Sequence, residues 1–296
     1  MLGTSLHFMK NKTTATTGPA LITGASSGIG LELAREFARH GHDLVLVAPV
    51  KEELEGIARE IETEFGVGVT PIAVDLGEPT AADEVLATVD AARVEVTFLC
   101  NNAGHGHRGQ WWEQPIKTDL SMIRLNVEAV LRLTKLFLPR MLARRQGRLL
   151  ITASVAGFEP GPLLATYHAT KAFVLSWSEA LATELQDTPI TVTALCPGPV
   201  DTDFFPKADM VETVAFQKAN VMPPQEVAKI AYEALMRGER VVIPGGMNKA
   251  MIFSRRFMPE SASAKKNEKM YEEVERKDHK REPGEIRQKA AAKERV

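Results

Sequence analysis

Cysteine is scarce in this sequence, and no apolar run is long. The chain has 296 residues and two cysteines, Cys100 and Cys196, each inside an apolar, strand-like run. So few cysteines argue against a disulfide framework and favour reduced, buried thiols in a cytoplasm. No apolar run approaches the length that spans a bilayer, and residues 1–17 lack the apolar core of a signal peptide. We therefore expect a cytoplasmic protein with a flexible leader over residues 1–17.

An excess of charge of one sign is also missing. The formal net charge is −2, with 25% charged and 44% hydrophobic residues. This composition is that of an ordinary globular protein, and it provides no overall field that would attract nucleic acid or an anionic membrane. No group of acids, histidines or cysteines has the spacing of a metal site, so we expect neither a nucleic-acid partner nor a metal.

Short β-branched runs alternate with longer helical patterns from residue 19 onward. The strand candidates are nearly continuously apolar, as in parallel strands that are covered on both faces. This alternation predicts an α/β fold: a single doubly wound Rossmann-type domain over 18–258, with a mostly parallel seven-stranded sheet flanked by helices. The strand candidates are PALITG, DLVLVAP, VTPIAVDL, VTFLCNNAG, GRLLITAS, ITVTALCPG and RVVIPG, and the helices lie around 29–40, 51–65, 80–91, 118–145, 166–186 and 225–237.

Three segments depart from this regular pattern. Residues 201–223 are irregular and rich in Phe and Met, and they form either a connector or a lid over a lipophilic substrate. Residues 247–258 mix apolar and basic side chains, which could pack on the domain, line a subunit interface or contact a membrane surface. Residues 259–296 mix charges of both signs with few large apolar residues, so we expect a solvated, partly helical charged tail.

A glycine-rich turn, LITGASSGIG, joins the first strand directly to the first helix. Gly24, Gly28 and Gly30 remove side chains where the backbone turns and approaches a ligand. The helix that follows presents free N–H groups and the positive end of its dipole to an anion. A turn between a buried strand and a helix therefore predicts a dinucleotide site, although such turns alone are weak evidence.

Tyr167 and Lys171 stand one helical turn apart on a predicted amphipathic helix, in LLATYHATKAF. An ordinary surface pair is one explanation, because polar pairs at this spacing are common. The other explanation is chemical. A tyrosine with a pKa of ~10 is rarely ionised near neutrality, and a nearby ammonium favours its phenolate.

Six motifs in order decide between these explanations. Together they resemble the classical short-chain dehydrogenase/reductase family over about residues 19–245, and the resemblance implies an enzyme that uses a nicotinamide cofactor. The motifs are TGASSGIG at 23–30, NNAG at 101–104, Asn126 in RLNV, Ser154 in ITAS, YHATK at 167–171 and PGPVDT at 197–202.

The resemblance implies a role for each catalytic candidate. Tyr167 would be the general acid in reduction and the general base in oxidation, with its pKa lowered by Lys171 and the oxidised nicotinamide. Lys171 would also hydrogen-bond the nicotinamide ribose. Ser154 would stabilise the substrate oxygen. Asn126 would hold a water that links Lys171 to solvent, although a buried amide in a helix is commonly only structural.

The resemblance also implies the cofactor contacts. Asp75 would accept a hydrogen bond from the adenine amino group, although an aspartate there could simply cap a helix. Val200 and Thr202 would meet the nicotinamide carboxamide. The whole set comprises Gly24, Ser26, Ser27, Gly28, Ile29, Gly30, Lys51, Asp75, Leu76, Asn102, Ala103, Gly104, Tyr167, Lys171, Pro197, Val200 and Thr202.

The residues after the second strand depart from the family pattern. An acid there would grip the ribose 2′-hydroxyl of NAD, and an arginine would hold the 2′-phosphate of NADP. This chain has Ala48, Pro49, Val50 and Lys51 instead. Because Lys51 and the serine hydroxyls of the first turn could bind a phosphate, we predict NADP in preference to NAD.

The function predicted from the sequence is an NAD(P)-dependent oxidoreductase that interconverts a carbonyl and a secondary alcohol, acting on a lipophilic small molecule. By analogy with the family we expect a homo-dimer or homo-tetramer, without a transmembrane segment. Two alternatives stay open. One is a non-catalytic nucleotide-binding regulator or scaffold, since fold alone does not fix function. The other is a membrane-associated lipid or sterol reductase with a peripheral membrane contact through residues 247–258.

Overall fold

Seven parallel strands form the centre of the molecule. The computed structural model describes residues 18–255, 257, 259–275, 277 and 279–294, so the expected leader lies outside the described residues. The sheet order is β3-β2-β1-β4-β5-β6-β7. The strands are β1 Ala20–Thr23, β2 Leu44–Ala48, β3 Val69–Ala73, β4 Phe98–Asn101, β5 Arg148–Thr152, β6 Thr191–Leu195 and β7 Val241–Val242.

The helices begin and end close to the predicted bounds. A single π-helical turn, Arg124–Glu128, interrupts the long predicted helix at 118–145. Three helices pack on each face of the sheet. The helices are α1 Gly28–Arg39, α2 Lys51–Phe65, α3 Ala81–Ala91, α4 Ile116–Ile123, α5 Ala129–Arg144, α6 Ala165–Glu184, α7 Phe204–Lys207, α8 Val214–Gln217, α9 Pro224–Arg237, α10 Gly246–Arg255, α11 Glu260–Tyr271 and α12 Glu285–Glu294.

Two apolar layers separate the sheet from its helices. Successive strand residues point to opposite faces, so Leu21 belongs to the layer beneath α3, α5 and α6, and Ile22 to the layer beneath α1, α2 and α9. Strands covered on both faces must be apolar at every position, which explains their continuous hydrophobic runs. The expected doubly wound fold is confirmed, with every strand pairing in the described sheet parallel.

The order of the strands creates a crevice. β3 and β4 are consecutive in the chain, but they lie on opposite sides of β1, so the connections leave β1 and β4 in opposite directions. Open α/β sheets bind ligands at such a switch point, outside the carboxyl ends of the strands. The glycine-rich turn follows β1, and NNAG follows β4, so both motifs lie at this crevice.

The C-terminal segment differs from the solvated tail predicted from its composition. It is partly helical, as expected, but Ser263 and Asn267 are buried, and Tyr271 and Ile286 pack on an apolar cluster built from residues 164–221. The charged side chains of α11 point outward, while a few polar and apolar residues make the contacts. Among the described residues no helix is both long and apolar enough to cross a membrane.

Candidate active site

The glycine-rich turn leaves no room for side chains. Gly28 has φ +56°, a conformation that favours glycine, and a Cβ on Gly30 would lie 2.0 Å from the carbonyl oxygen of Gly24. The N-cap residue of α1, Ser27, makes no side-chain capping hydrogen bond. The first N–H groups of α1 therefore point toward the crevice without a side-chain acceptor, which is the arrangement that binds phosphate.

Thr23 and Asn102 fasten the strand ends around the crevice. Thr23 Oγ1 accepts hydrogen bonds from the backbone N–H groups of Asn102 and Ala103, each at 2.9 Å. The Asn102 amide donates to the Thr23 carbonyl at 3.1 Å and accepts from the Thr152 hydroxyl at 3.1 Å. The Asn102 side chain thus joins β1, β4 and β5, a structural role in addition to its place in the crevice wall. Thr23 was not among the predicted site residues.

Tyr167 and Lys171 project from α6 toward the carboxyl end of β5. Lys171 Nζ lies 5.8 Å from the centre of the Tyr167 ring and donates a hydrogen bond to the Thr152 carbonyl at 2.8 Å. Lys171 is 5% exposed, so an ordinary surface pair is excluded. The helix therefore places a phenol and a buried ammonium together at the crevice.

Burial moves the pKa values of this pair toward their neutral forms. It raises the pKa of Tyr167 to about 12, with a hydrogen bond from Ser154 acting in the opposite direction. It lowers the pKa of Lys171 to about 8, and the nearby Cys196 acts against this shift. Desolvation of the phenol outweighs the hydrogen bond from Ser154, and the lowering of the Tyr167 pKa by Lys171 and the oxidised nicotinamide stays a prediction.

Ser154 ends the segment after β5 and faces the phenol. Its hydroxyl accepts a hydrogen bond from the Ala156 backbone N–H at 3.1 Å and lies 3.4 Å from the Pro197 carbonyl oxygen, to which it donates. The first bond caps the short helical turn at 155–158. Ser154 therefore has a structural role of its own while it lies beside Tyr167.

Asn126 lies in the π-helical turn and is buried behind the crevice. Its amide oxygen accepts from the His105 N–H at 3.0 Å, and its amide nitrogen donates to the His105 carbonyl at 2.9 Å. A methyl group on Gly104 would lie 3.0 Å from this oxygen and 3.3 Å from Lys171 Nζ. Asn126 is thus close to Lys171, on the side away from the crevice.

One cavity of about 660 Å³ runs from the glycine-rich turn past Tyr167 to the segment after β6. This is within the usual range for sites that bind cofactors and small ligands. Most predicted site residues line it: Gly24, Ser26, Ser27, Gly28, Ile29, Asp75, Leu76, Asn102, Ala103, Gly104, Ser154, Tyr167, Lys171, Pro197, Val200 and Thr202.

Three predicted residues do not line this cavity. Gly30 and Asn126 lie behind its wall. Lys51 is the first residue of α2, has a 68% exposed side chain and pairs with Glu55 at 3.8 Å. Glu53, which we did not predict, lines the cavity on this side. The structure therefore does not bring the predicted phosphate-binding lysine into the site, because its side chain follows the helix surface toward an acid one turn away.

The other end of the cavity is lined by several apolar residues. Phe204, from the Phe- and Met-rich stretch 201–223, lies against Tyr167 with ring centres 5.2 Å apart. Met270 and Tyr271 reach the same wall from α11, and sequence reasoning did not find these two residues. Within the described residues, no group of three or more histidines, cysteines or acids could hold a metal ion.

Comparison with known proteins agrees with this geometry. A family model described as short chain dehydrogenase matches residues 19–212, which include the glycine-rich turn, Tyr167 and Lys171. This chain belongs to the short-chain dehydrogenase family. The fold and the family resemblance predicted from the motifs are thereby confirmed.

Individual members of the family are similar over most of the described fold. The very-long-chain 3-oxoacyl-CoA reductase of Pyrenophora tritici-repentis is 38% identical over 190 residues, which are 62% of this chain and 56% of that protein. The matched region therefore spans little more than half the length of this relative. A short-chain dehydrogenase from Sphingobium yanoikuyae, solved in complex with NADPH, is 34% identical with a TM-score of 0.71, over 81% of this chain and 94% of that one.

A further solved member is the bulky-bulky ketone specific alcohol dehydrogenase of Comamonas testosteroni. It is 31% identical with a TM-score of 0.69, and the similarity covers 82% of this chain and 93% of that one. The names of two of these relatives give different substrates, a very-long-chain 3-oxoacyl-CoA and a bulky-bulky ketone. The family relationship alone thus leaves the substrate of this chain to be argued from its own cavity.

Proposed function

We propose that this chain is an NAD(P)-dependent oxidoreductase that interconverts a carbonyl and a secondary alcohol on a lipophilic small molecule. One observation carries the proposal: Ser154, Tyr167 and Lys171 meet in the middle of a cavity that has an anion-binding turn at one end and an apolar wall at the other. The names of the relatives support the same reaction class.

The residues of the crevice fit a dinucleotide. A side chain on Gly24 or Gly30 would clash with neighbouring backbone atoms, so the turn is bare. The free N–H groups at the start of α1 can therefore bind a pyrophosphate. In the proposed complex Asp75 lies at the adenine end and Lys171 at the nicotinamide ribose. The bound cofactor supplies a hydride to the carbonyl carbon, or accepts one from the alcohol carbon.

Tyr167 is the proton donor in the proposed reduction. Burial raises the pKa of its hydroxyl to about 12, so the phenol is protonated at neutral pH and can donate to a carbonyl oxygen. The Ser154 hydroxyl stabilises negative charge on that oxygen as the proton moves. The pKa of Lys171, about 8, keeps this side chain mostly cationic at neutral pH. Lys171 therefore favours the phenolate that remains, and the proposed role of Asn126 is to hold a water that links Lys171 to solvent.

The experiment is a spectrophotometric assay of NADPH and NADH oxidation with a series of ketones. Tyr167→Phe should lower kcat by about 100-fold or more, because a general acid contributes ~10²–10⁴ to the rate, while the Kd of NADPH stays nearly unchanged. Lys171→Ala should weaken both cofactor binding and turnover, since both roles fall on this side chain. A Tyr167→Phe variant that keeps most of its activity would refute the acid–base role.

NADP in preference to NAD remains a prediction. The NADPH complex of the Sphingobium yanoikuyae relative supports it, whereas Glu53 in the cavity wall acts against a 2′-phosphate by charge repulsion. The same assay should give a higher kcat/KM with NADPH than with NADH, and Glu53→Gln should increase this ratio. Lys51→Ala tests the predicted phosphate contact. An enzyme that prefers NADH would overturn the predicted choice.

A membrane-associated lipid or sterol reductase is the second candidate. Met247, Phe253 and Phe257 are 69%, 61% and 80% exposed near α10, and basic Lys249 and Arg255 lie on the same helix. Exposed apolar and basic side chains together suit a membrane surface. Co-sedimentation with phosphatidylserine vesicles, lost in the double variant Phe253→Ser and Phe257→Ser, would support this candidate; no sedimentation would remove it.

We further propose a cytoplasmic homo-dimer or homo-tetramer. Both cysteines are free and buried, which fits a reducing compartment. Ile116, Leu120 and Phe173 expose apolar side chains on α4 and α6, which suits a subunit interface. Sedimentation equilibrium of the purified protein should give a dimer or tetramer, and a monomer at all concentrations would contradict this assembly.

A further inference from the structure

The C-terminal segment returns to the cavity and is fastened beside it. Ser263 Oγ donates a hydrogen bond to the Glu159 carboxylate at 2.7 Å, and Asn267 Nδ2 donates to the Pro160 carbonyl at 2.9 Å. Ser263 and Asn267 are both buried. These bonds fix α11 against the loop that follows β5, so that Tyr271 at the end of this helix reaches the cavity wall.

Tyr271 is held by His168, the residue next to Tyr167. His168 is buried, and its Nδ1 lies 2.7 Å from the Glu159 carbonyl oxygen. A carbonyl only accepts, so Nδ1 carries the proton; burial lowers the His168 pKa and keeps the ring neutral. Nε2 therefore accepts the hydrogen bond from the Tyr271 hydroxyl, at 2.8 Å. This bond fixes the direction of the phenol.

The chain beyond Tyr271 is tied to residues 201–223. Val214 N–H donates to the Glu272 carbonyl at 3.1 Å, and Val274 N–H donates to the Glu212 carbonyl at 2.8 Å. The buried Asp201 carboxylate then accepts from the backbone N–H groups of Gly284 and Arg287, at 2.8 and 2.9 Å. Residues 201–223 and the C-terminal segment are consequently held together by hydrogen bonds.

We propose that Tyr271 determines substrate specificity, and that residues 260–275 and 279–287 hold it in the substrate pocket. This inference rests on the proposed oxidoreductase function. Tyr271 and Phe204 pack on the same apolar cluster as Tyr167, so the Tyr271 ring lies on the substrate side of the proton donor. A long apolar group attached to the reacting carbonyl packs on this ring, whereas a short substrate does not reach it.

Two 3-oxo esters with the same reacting group test the proposal: ethyl 3-oxobutanoate and ethyl 3-oxodecanoate. Tyr271→Ala should raise KM for the long ester about tenfold through lost apolar contact, with kcat and the KM for the short ester changed less than about twofold. Tyr271→Phe keeps the ring and should raise the long-ester KM less. Circular dichroism and the Kd of NADPH show that each variant is folded.

Tyr232→Phe is the matched control. The Tyr232 hydroxyl also bonds to a buried histidine, His42 Nε2 at 3.1 Å, but it lies in the other apolar layer of the sheet. This variant loses an equivalent hydrogen bond away from the cavity, so its KM should be unchanged for both esters. Equal KM changes for the two esters in Tyr271→Ala, or no change, would overturn the inference while leaving the proposed function intact.

A binding measurement tests the placement of Tyr271 independently of whether the protein reduces these esters. If the wild-type protein reduces neither ester, the proposed turnover of these compounds fails, and hydrogen exchange then tests the inference. With NADPH and ethyl 3-oxodecanoate present, amide exchange over residues 260–273 should slow at least about threefold in the wild type and not in Tyr271→Ala. Unchanged exchange in the wild type would overturn the placement of Tyr271 in the substrate pocket.

Discussion

Burial shifts the pKa values of Tyr167 and Lys171 in opposite directions. It raises the pKa of the phenol to about 12 and lowers the pKa of the ammonium to about 8, because a low dielectric disfavours each charged form. At neutral pH the pair is therefore a protonated phenol beside a largely cationic amine. This is the state that reduction requires, since the phenol must begin the step with its proton.

Gly30 is the residue whose replacement tests the anion-binding turn. A Cβ there would lie 2.0 Å from the Gly24 carbonyl oxygen, a backbone atom that cannot move without reshaping the turn. Gly30→Ala should therefore raise the Kd of NADPH about 10-fold or more and lower the free energy of unfolding by roughly 1–3 kcal/mol, the cost of overpacking. Fluorescence titration with NADPH and urea unfolding measure the two effects.

Gly56→Ala is the control for this substitution. Gly56 lies inside α2, and a Cβ there meets nothing within 4 Å. Alanine should stabilise this helix by roughly 0.5–1 kcal/mol and leave NADPH binding unchanged. If the two alanine variants bound NADPH equally well, the close backbone approach at Gly30 would not be what forms the site.

At the scale of elements, the sheet could be predicted from the sequence, whereas the packing of the C-terminal segment beside the cavity could not. Strands such as β2 are apolar at every position because both faces are covered, and this pattern is visible in the sequence. Tyr271 meets His168 across 103 positions of the chain. The contacting residues of α11 are the polar Ser263 and Asn267 together with Met270 and Tyr271 at its last turn, so no apolar stripe along the helix marks the face that packs.

The same scale explains why Lys51 does not line the cavity. The residue follows β2 as expected of a cofactor contact, but it also begins α2, and an acid four positions later draws its side chain along the helix. Sequence position identified the correct loop but not the direction of the side chain. Glu53, two residues further along the helix, faces the cavity instead.

Gln217 fastens the segment 201–223 to the C-terminal segment. It is fully buried, its amide donates to the carbonyls of Val211 and Arg281 at 2.9 and 3.1 Å, and it accepts from the Lys280 N–H at 2.8 Å. Gln217→Ala leaves these backbone groups without partners, at roughly 1–3 kcal/mol for each one that stays buried. Amide exchange over residues 260–287 should become about tenfold faster or more, while the sheet is unaffected.

Gln225→Ala is the matched glutamine substitution. Its amide donates to Glu32 at 3.3 Å, which joins α9 to α1. Exchange over residues 260–287 should stay at the wild-type rate in this variant. Equal acceleration in both variants, or none in Gln217→Ala, would show that Gln217 does not hold the segment.

For the whole molecule, buried histidines set how stability depends on pH. Burial is the main cause that lowers the pKa values of His42, His105 and His168 below 6.5. The unfolded chain takes up protons as the pH falls through about 6.5, whereas the folded protein resists them until a lower pH. These depressed pKa values leave stability intact above about pH 6.5 and reduce it as the pH falls toward the folded-state values.

The free energy of unfolding should therefore fall between pH 7.5 and 5.5, by up to about 1.4 kcal/mol per pH unit for each histidine that stays neutral only in the folded state. His168→Gln should reduce this slope, because one such imidazole is removed. Urea unfolding at several pH values measures both proteins, and equal slopes would contradict a neutral, buried His168 beside Tyr271.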